Sequence, residues 1–270
     1  MSTELVRTQV GEVQVRRGGS GEVLVYLHSA NGEGEGLVVL DELSRHFDVV
    51  APMFPGFGES EGITEIDDMD DAVFHLLDLW DLLDLGAPFV VGASLGGWMA
   101  AELATRYPER VSRLVLVNPV GLYIAGAEIH DIFGSKPWDL ADRLFADHDQ
   151  PQYQLMKMME HIDPSDLTFE MVKPALQTAA ATARLGWDPY LHAPKLAKRL
   201  YRVGAPPLVV RGAQDTLVPA AHAQAYAEAI AGARLVEVQG AAPLLPLDRP
   251  EELARVVADF ASAGSTAGDP

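Results

Sequence analysis

The pentapeptide Gly-Ala-Ser-Leu-Gly at residues 92–96 constrains the fold more than any other feature of this sequence. It follows the apolar run 89–91 and precedes residues 95–107, whose pattern predicts a helix. A serine between such glycines, at a strand-to-helix junction, lies on a tight turn that exposes its hydroxyl group. Glycine is required there because the two backbones approach too closely for side chains. The pattern predicts an α/β domain with a nucleophile-type turn at Ser94, the alternative being a glycine-rich turn without chemistry.

The 270-residue chain shows short apolar runs that alternate with helical patterns. This alternation predicts a parallel sheet covered by helices, opened by an antiparallel hairpin around residues 13–16. Strands are predicted at 22–28, 47–51, 89–91, 114–117, 207–211 and 235–238, and helices at 37–46, 67–85, 95–107 and 220–231. No strand pattern occurs between residues 121 and 204, which predicts a helical insertion.

Composition excludes several classes of function. The 39 acidic and 20 basic side chains give a net charge of −19, which repels phosphate backbones and argues against a nucleic-acid partner. The absence of cysteine excludes disulfides and thiolate zinc sites. The glycine-rich stretch 32–36 contains two glutamates, which would repel phosphate. No metal-ligand spacing is found, so we expect neither a metal ion nor a cofactor.

No targeting or membrane segment is evident. Residues 1–21 are polar and lack the apolar centre of a signal peptide, and no apolar stretch approaches the length of a membrane span. We therefore expect a cytoplasmic protein without membrane association, whose partner is a small molecule.

Four motifs, at 27–29, 55–58, 92–97 and 211–215, occur in an order that resembles the α/β-hydrolase superfamily. The resemblance implies an α/β-hydrolase fold, with a mostly parallel eight-stranded sheet flanked by helices and a helical cap inserted after the sixth strand. It also implies the domain boundaries: a core at 1–119 and 205–262, a cap at 120–204, and a disordered tail at 263–270. The cap resembles those of bacterial hydrolases that act on small esters, carbon–carbon bonds or epoxides.

The resemblance also assigns roles to individual residues. Ser94 matches the nucleophile, and Asp215 matches the acidic member of the catalytic triad. The backbone N–H of Leu95 matches one oxyanion donor, and an N–H group at Ser29 or Ala30 matches the other. In addition, we expect an apolar substrate pocket that includes Trp187, Leu244 and Leu245.

One position departs from the family pattern. The residues around 240–250 fit the turn that carries the catalytic histidine, but Pro243 stands where the histidine belongs, and no histidine follows His222. A serine hydroxyl is a poor nucleophile at neutral pH unless a base accepts its proton. The candidates for a substitute base are His28, His192 and His222.

Three functions are compatible with this incomplete triad. The first is hydrolysis of a small, largely apolar molecule, with a substitute base. The second is a non-hydrolytic reaction, as in an isomerase, lyase or cyclase, in which Asp215 is the base because burial raises the pKa of a carboxyl group. In that case Ser94 only donates a hydrogen bond. The third is a catalytically silent binding protein.

Overall fold

The computed structural model describes residues 1–33 and 37–265. Residues 34–36 of the glycine-rich stretch and residues 266–270 of the expected disordered tail lie outside the described residues. The strands are β1 (Ser2–Arg7), β2 (Glu12–Gly19), β3 (Val23–Leu27), β4 (Asp48–Pro52), β5 (Phe89–Ala93), β6 (Arg113–Val117), β7 (Pro207–Gly212) and β8 (Arg234–Val238). The helices are α1 (Val38–Leu43), α2 (Met69–Leu82), α3 (Leu95–Arg106), α4 (Pro137–Leu144), α5 (Pro151–Met158), α6 (Phe169–Gly186), α7 (Ala220–Ala229), α8 (Leu245–Asp248) and α9 (Pro250–Ser265).

The eight strands form one sheet in the order β1-β2-β4-β3-β5-β6-β7-β8. The pairs β1–β2 and β2–β4 are antiparallel, and all pairs from β4 to β8 are parallel. This confirms the mostly parallel eight-stranded sheet and the opening hairpin that were predicted. After β3 the chain adds β4 on one side, and from β5 onward it adds strands on the other side. The loops after the adjacent strands β3 and β5 therefore lie side by side at one edge of the sheet.

Both faces of the sheet are buried, as expected for parallel strands that read as continuous apolar runs. Side chains alternate along each strand, so Val25 belongs to the core cluster that includes α2, α3 and α7, whereas Leu24 belongs to the cluster on the opposite face, which includes α1 and α9. The C-terminal helix α9 continues to Ser265, beyond residue 262, where we expected the core to end.

Helix α2 is shorter than the predicted span 67–85, because the capping residues determine where it begins and ends. The Asp68 carboxylate accepts hydrogen bonds from the backbone N–H groups of Asp70 (2.8 Å) and Asp71 (3.1 Å), which makes Asp68 the N-cap. The helix ends at Leu82, and Gly86 then adopts a φ of +61°, which glycine tolerates.

Helices α4, α5 and α6 fill the segment between β6 and β7, as predicted. Among the described residues of this segment, the one strand-like contact is the isolated bridge between Gly121 and His192. The domain boundaries at 119, 204 and 262 stay a prediction. The buried Asp248 carboxylate joins this helical segment to the core, since it accepts hydrogen bonds from the N–H groups of Ala146, Asp147 and Ala242.

Candidate active site

Ser94 lies on a strained turn between β5 and α3. Its φ of +51° is in the left-handed region, which side chains rarely adopt. A Cβ atom on Gly96 would lie 2.3 Å from the carbonyl oxygen of Leu27, and one on Gly92 would lie 2.3 Å from the carbonyl oxygen of Gly96. Both glycines are therefore required by close backbone approach. The turn leaves the Ser94 side chain partly exposed at the carboxyl end of the sheet.

No described residue forms a hydrogen bond with the Ser94 hydroxyl group. Its backbone is held firmly, because its N–H donates to the Val117 carbonyl at 2.8 Å. Among the described residues the hydroxyl group therefore has neither a base to take its proton nor a competing partner. It is free to donate a hydrogen bond to a ligand.

Two backbone N–H groups close to this serine also lack a partner among the described residues. Leu95 is the first residue of α3, so its N–H has no acceptor within the helix. In the neighbouring loop the N–H of Ser29 is already used, because it donates to Glu33 Oε2 at 2.7 Å. The N–H of Ala30 has no acceptor among the residues that the structure describes. The geometry therefore favours Ala30 over Ser29 as the loop donor.

The loop that carries Ala30 is positioned from two sides. The Gly96 N–H donates to the carbonyl oxygen of His28 at 3.1 Å, which places the loop against the first turn of α3. The hydroxyl group of Thr182, a buried residue of α6, donates to the carbonyl oxygen of Ala30 at 3.2 Å. Helix α6 and the first turn of α3 therefore hold the two peptide units on either side of the one that carries the Ala30 N–H.

Asp215 follows β7 and is buried. Its Oδ1 accepts hydrogen bonds from the N–H groups of Leu217 at 2.9 Å and Val218 at 2.8 Å. Burial raises the pKa of Asp215 to about 6, and these two hydrogen bonds and the charge of Arg211 oppose the change only in part. A carboxyl group that titrates near neutral pH is suited to accept and release protons.

Pro243 is buried in a loop that other residues hold in place. The Asn118 amide donates to the carbonyl oxygens of Ala242 and Pro243, each at 3.1 Å, and accepts a hydrogen bond from the Gly212 N–H at 2.8 Å. Asp248 accepts the N–H of Ala242 at 2.8 Å. Side-chain hydrogen bonds therefore fix this loop, and the residue at the position predicted for the histidine is a proline.

Both ring nitrogens of His28 form hydrogen bonds with backbone groups. Its Nε2 accepts a hydrogen bond from the Phe54 N–H at 2.9 Å, so its Nδ1 carries the proton and donates to the Ser29 carbonyl at 2.7 Å. Burial lowers the pKa of His28, and the nearby Glu33 opposes this effect. The structure therefore argues against His28 as a substitute base, because no lone pair is left for Ser94.

The other two candidate bases, His192 and His222, form hydrogen bonds with backbone carbonyl groups. His222 donates through Nε2 to the Ala127 carbonyl at 2.8 Å, and burial lowers its pKa. His192 donates through Nδ1 to the Tyr190 carbonyl at 2.9 Å, and its ring lies 5.3 Å from that of Tyr123. Neither forms a hydrogen bond with Ser94, so the described residues contain no histidine–serine pair of the expected kind.

The three predicted pocket residues have different environments. The Trp187 side chain is 64% exposed and lies against Phe133, so it does not line an enclosed pocket. Leu244 is buried on the sheet face that carries α2 and α3. Leu245 is buried on the opposite face, with α1 and α9, which separates it from a pocket beneath the cap.

Sequence reasoning missed Glu33, Thr182 and Asp248, three buried polar residues that position the site. Each acts through a partner that the local sequence does not indicate. Glutamate is almost never fully buried without a partner, but burial of Glu33 is not visible from its glycine-rich surroundings. Within the described ranges, no group of three or more histidine, aspartate or glutamate side chains is arranged to hold a metal ion. No helix in the described part of the chain is long and apolar enough to span a membrane.

Comparison with known proteins agrees with this fold. A family model described as alpha/beta hydrolase fold matches residues 22–250. A 2-hydroxymuconate semialdehyde hydrolase of Pseudomonas sp. (strain CF600) is 27% identical over 92% of this chain and 90% of its own length. The dihydrolipoyllysine-residue acetyltransferase component of the acetoin cleaving system of Cupriavidus necator is 29% identical over 78% of this chain, which spans 56% of that relative's length. The structure of 2-hydroxy-6-oxo-6-phenylhexa-2,4-dienoate hydrolase from Rhodococcus sp. superposes with a TM-score of 0.74 at 20% identity, covering 97% of this chain and all of that one.

Proposed function

Because the chain belongs to the alpha/beta hydrolase family, we propose that it is an enzyme that acts on the carbonyl group of a small, largely apolar molecule. A relative named for hydrolysis of a muconate semialdehyde supports a small carbonyl compound as substrate. The observation that carries the proposal is a cluster of three hydrogen-bond donors that the described residues leave unused, namely the Ser94 hydroxyl group and the N–H groups of Ala30 and Leu95.

These donors are suited to a carbonyl oxygen that gains negative charge. Two of them are backbone groups held by the rigid contacts of α3 and its neighbouring loop, so they need little reorganisation when a substrate binds. Preorganised donors of this kind stabilise a transition state more than a ground state. Together with Asp215 on the opposite side of the turn, they supply what an ester or carbon–carbon hydrolase needs, apart from the imidazole.

In the hydrolytic reaction, the Ser94 oxygen adds to the carbonyl carbon and its proton passes to Asp215 through an intervening water molecule, because the two side chains form no direct hydrogen bond. The electron pair of the carbonyl bond moves to the oxygen that Ala30 and Leu95 bind. When this intermediate collapses, the alcohol leaves with the proton from Asp215, and water then releases the acyl group. Without imidazole this route is slow: in the serine protease subtilisin, loss of the catalytic histidine reduces the rate about a millionfold, whereas about a thousandfold acceleration over water survives.

A second function is favoured by two observations together: the Ser94 hydroxyl group lacks a base among the described residues, and Asp215 titrates near pH 6. Asp215 would take a proton from the carbon next to the carbonyl group. The electron pair moves to the oxygen, which the three donors stabilise as an enolate, and the proton returns to a different atom. This is isomerase, lyase or cyclase chemistry in which Ser94 only donates a hydrogen bond.

One set of variants separates these functions. Hydrolysis of 4-nitrophenyl acetate and butyrate is measured for the wild type, Ser94→Ala, Asp215→Asn and Pro243→His. Deuterium exchange next to the carbonyl group of an enolisable ketone is followed in parallel by NMR. Ester hydrolysis by the wild type that Ser94→Ala abolishes supports the hydrolytic function. Exchange that Asp215→Asn abolishes and Ser94→Ala only weakens supports proton transfer.

The same set includes the outcomes that would contradict the proposal. If the wild type catalyses neither reaction while Pro243→His hydrolyses the esters, the scaffold is competent but the natural protein is a binding protein. If no variant is active and no ketone binds, the cluster of donors is not a carbonyl site at all.

A further inference from the structure

The two carboxylates that flank Ser94 limit the charge of the substrate. Glu33 lies in the loop on one side, and its Oε2 accepts the Ser29 N–H next to the Ala30 donor. Asp215 lies on the other side, at the end of β7. Pro243, at the position predicted for the histidine, carries no charge. Because the strand order is β3-β5-β6-β7, the loops that carry these two carboxylates lie on either side of the Ser94 turn.

Glu33 is buried, with 7% of its surface exposed, and its Oε1 has no hydrogen-bond partner among the described residues. No lysine, arginine or histidine of the described ranges forms an ion pair with it. The adjacent His28 ring is neutral, because one nitrogen donates a hydrogen bond to the Ser29 carbonyl and the other nitrogen accepts one from the Phe54 N–H. The negative charge of Glu33 is therefore not balanced by a cation of the described part of the chain.

Two arginines lie near Asp215, and the charge of one of them is paired with a glutamate. Arg211 pairs with Glu237 at 3.0 Å and donates to the backbone oxygen of Asp215 at 3.2 Å. Arg143, from α4, makes a long contact of 3.4 Å with the carbonyl oxygen of Thr216. Of the two guanidinium groups, only Arg211 acts electrostatically on the Asp215 carboxylate, and its charge is paired with Glu237.

We infer that this site selects neutral or cationic carbonyl compounds and rejects those that carry a carboxylate, and that Glu33 is the residue that enforces this selection. The inference rests on the proposed function, because it assumes that the carbonyl oxygen binds at Ala30 and Leu95. This selection would distinguish the chain from two relatives that are named for carboxylate substrates, a hydroxymuconate semialdehyde and a phenylhexadienoate. The net charge of −19 acts in the same direction, since it lowers the local concentration of anions.

The expected size of the effect follows from Coulomb's law. Two like charges about 7 Å apart at an effective dielectric constant of about 20 weaken binding by roughly fiftyfold, and entry of solvent reduces this to about tenfold. Glu33→Gln removes the charge but keeps an oxygen that accepts the Ser29 N–H, so the loop should keep its shape. A variant that removes the charge without moving the loop therefore isolates the electrostatic effect.

The test compares kcat/KM for three esters of similar length: 4-nitrophenyl butyrate, mono-4-nitrophenyl glutarate and the 4-nitrophenyl ester of 4-(trimethylammonio)butyrate. We expect the anionic glutarate to be at least tenfold poorer than the butyrate, and the cationic ester to equal or exceed it. Glu33→Gln should reduce the discrimination at least threefold. The matched control is Glu4→Gln, which changes the net charge equally from β1 at the far edge of the sheet, and it should leave the ratio unchanged because salt screens distant charges.

A second measurement keeps this test independent of turnover. Binding of 2-heptanone and of 6-oxoheptanoate, a neutral and an anionic ketone, is followed by isothermal calorimetry. If no ester is hydrolysed but the neutral ketone binds at least tenfold more tightly, the proposed hydrolysis fails and the charge selection stands. Equal binding of the two ketones, or a ratio that Glu33→Gln and Glu4→Gln change alike, overturns the inference. If Glu33→Gln does not fold, the ketone ratio of the wild type decides alone.

Discussion

Replacement of Asp215 by asparagine should stabilise the protein while it removes activity. The carboxyl group is 6% exposed, and its pKa of about 6 lies well above the ordinary value of 3.8. Asparagine keeps an oxygen that can accept the N–H groups of Leu217 and Val218, so the turn should persist. The substitution therefore removes an unfavourable buried charge without removing the contacts that hold it.

The magnitude follows from the two pKa values. Below pH 3.8 the carboxyl group is protonated in both the folded and the unfolded chain, and it contributes no difference. As the pH rises, the unfolded chain releases its proton first, so the folded state loses stability until the pH passes about 6. A rise from 3.8 to about 6 corresponds to about 3 kcal/mol of lost stability at pH 7 and above. Asp215→Asn should recover an amount of this order.

The assay is urea unfolding of the wild type and of Asp215→Asn at several pH values between 4 and 8. The difference in the free energy of unfolding should be small at pH 4 and approach about 3 kcal/mol in favour of the variant at pH 7. Activity of the variant in both assays should fall to the level of the uncatalysed reaction. The wild-type rate should rise with pH through about 6, because the ionised carboxylate is the base.

Asp248→Asn is the matched control, because Asp248 is also buried but accepts hydrogen bonds from three N–H groups. Asparagine offers one acceptor oxygen in place of two, so this variant should be less stable than the wild type by about 1–3 kcal/mol. A stability difference between Asp215→Asn and the wild type that does not change with pH would refute the reasoning. So would an Asp215→Asn variant that is less stable than the wild type at pH 7.

Three further substitutions test the site. Pro243→His should raise kcat/KM for 4-nitrophenyl ester hydrolysis by about a hundredfold or more, and adding Ser94→Ala should abolish the gain. A folded Pro243→His variant with no gain would contradict the proposed role of this loop. Gly96→Ala should lower the free energy of unfolding by more than about 3 kcal/mol, because its Cβ would lie 2.3 Å from the Leu27 carbonyl oxygen; a Tm close to that of the wild type would disprove the close approach. His28→Ala should reduce stability by about 1–3 kcal/mol, as measured by urea unfolding, through loss of two buried hydrogen bonds; an unchanged stability would show that those bonds do not form.

Much of the core could be predicted because the signals are local. The apolar runs that became β3, β5, β6, β7 and β8 are short and bounded by turn residues, so periodicity and length identify them. The helix boundaries were less accurate, as α2 shows, because a single capping side chain decides where a helix begins.

The candidate site was predictable only in part. Ser94 and Pro243 belong to short motifs whose spacing can be read directly from the sequence. The preference for Ala30 over Ser29 could not be predicted, because it depends on Glu33 folding back onto the loop. Trp187 was expected in the pocket because the cap segment is rich in aromatic residues, but it lies on the surface of the cap.

The order of residues along the chain was enough to determine the α/β architecture, the tight turn at Ser94 and the presence of a proline at position 243, where the resemblance predicts a histidine. These properties depend on side-chain periodicity and on neighbours a few residues apart, which are already present in the unfolded chain. The tertiary structure decided which N–H groups stay free, which lone pairs of His28 are occupied, and how far burial moves the pKa of Asp215. Those properties depend on groups brought together from distant segments and on the removal of water, and neither exists until the chain has folded.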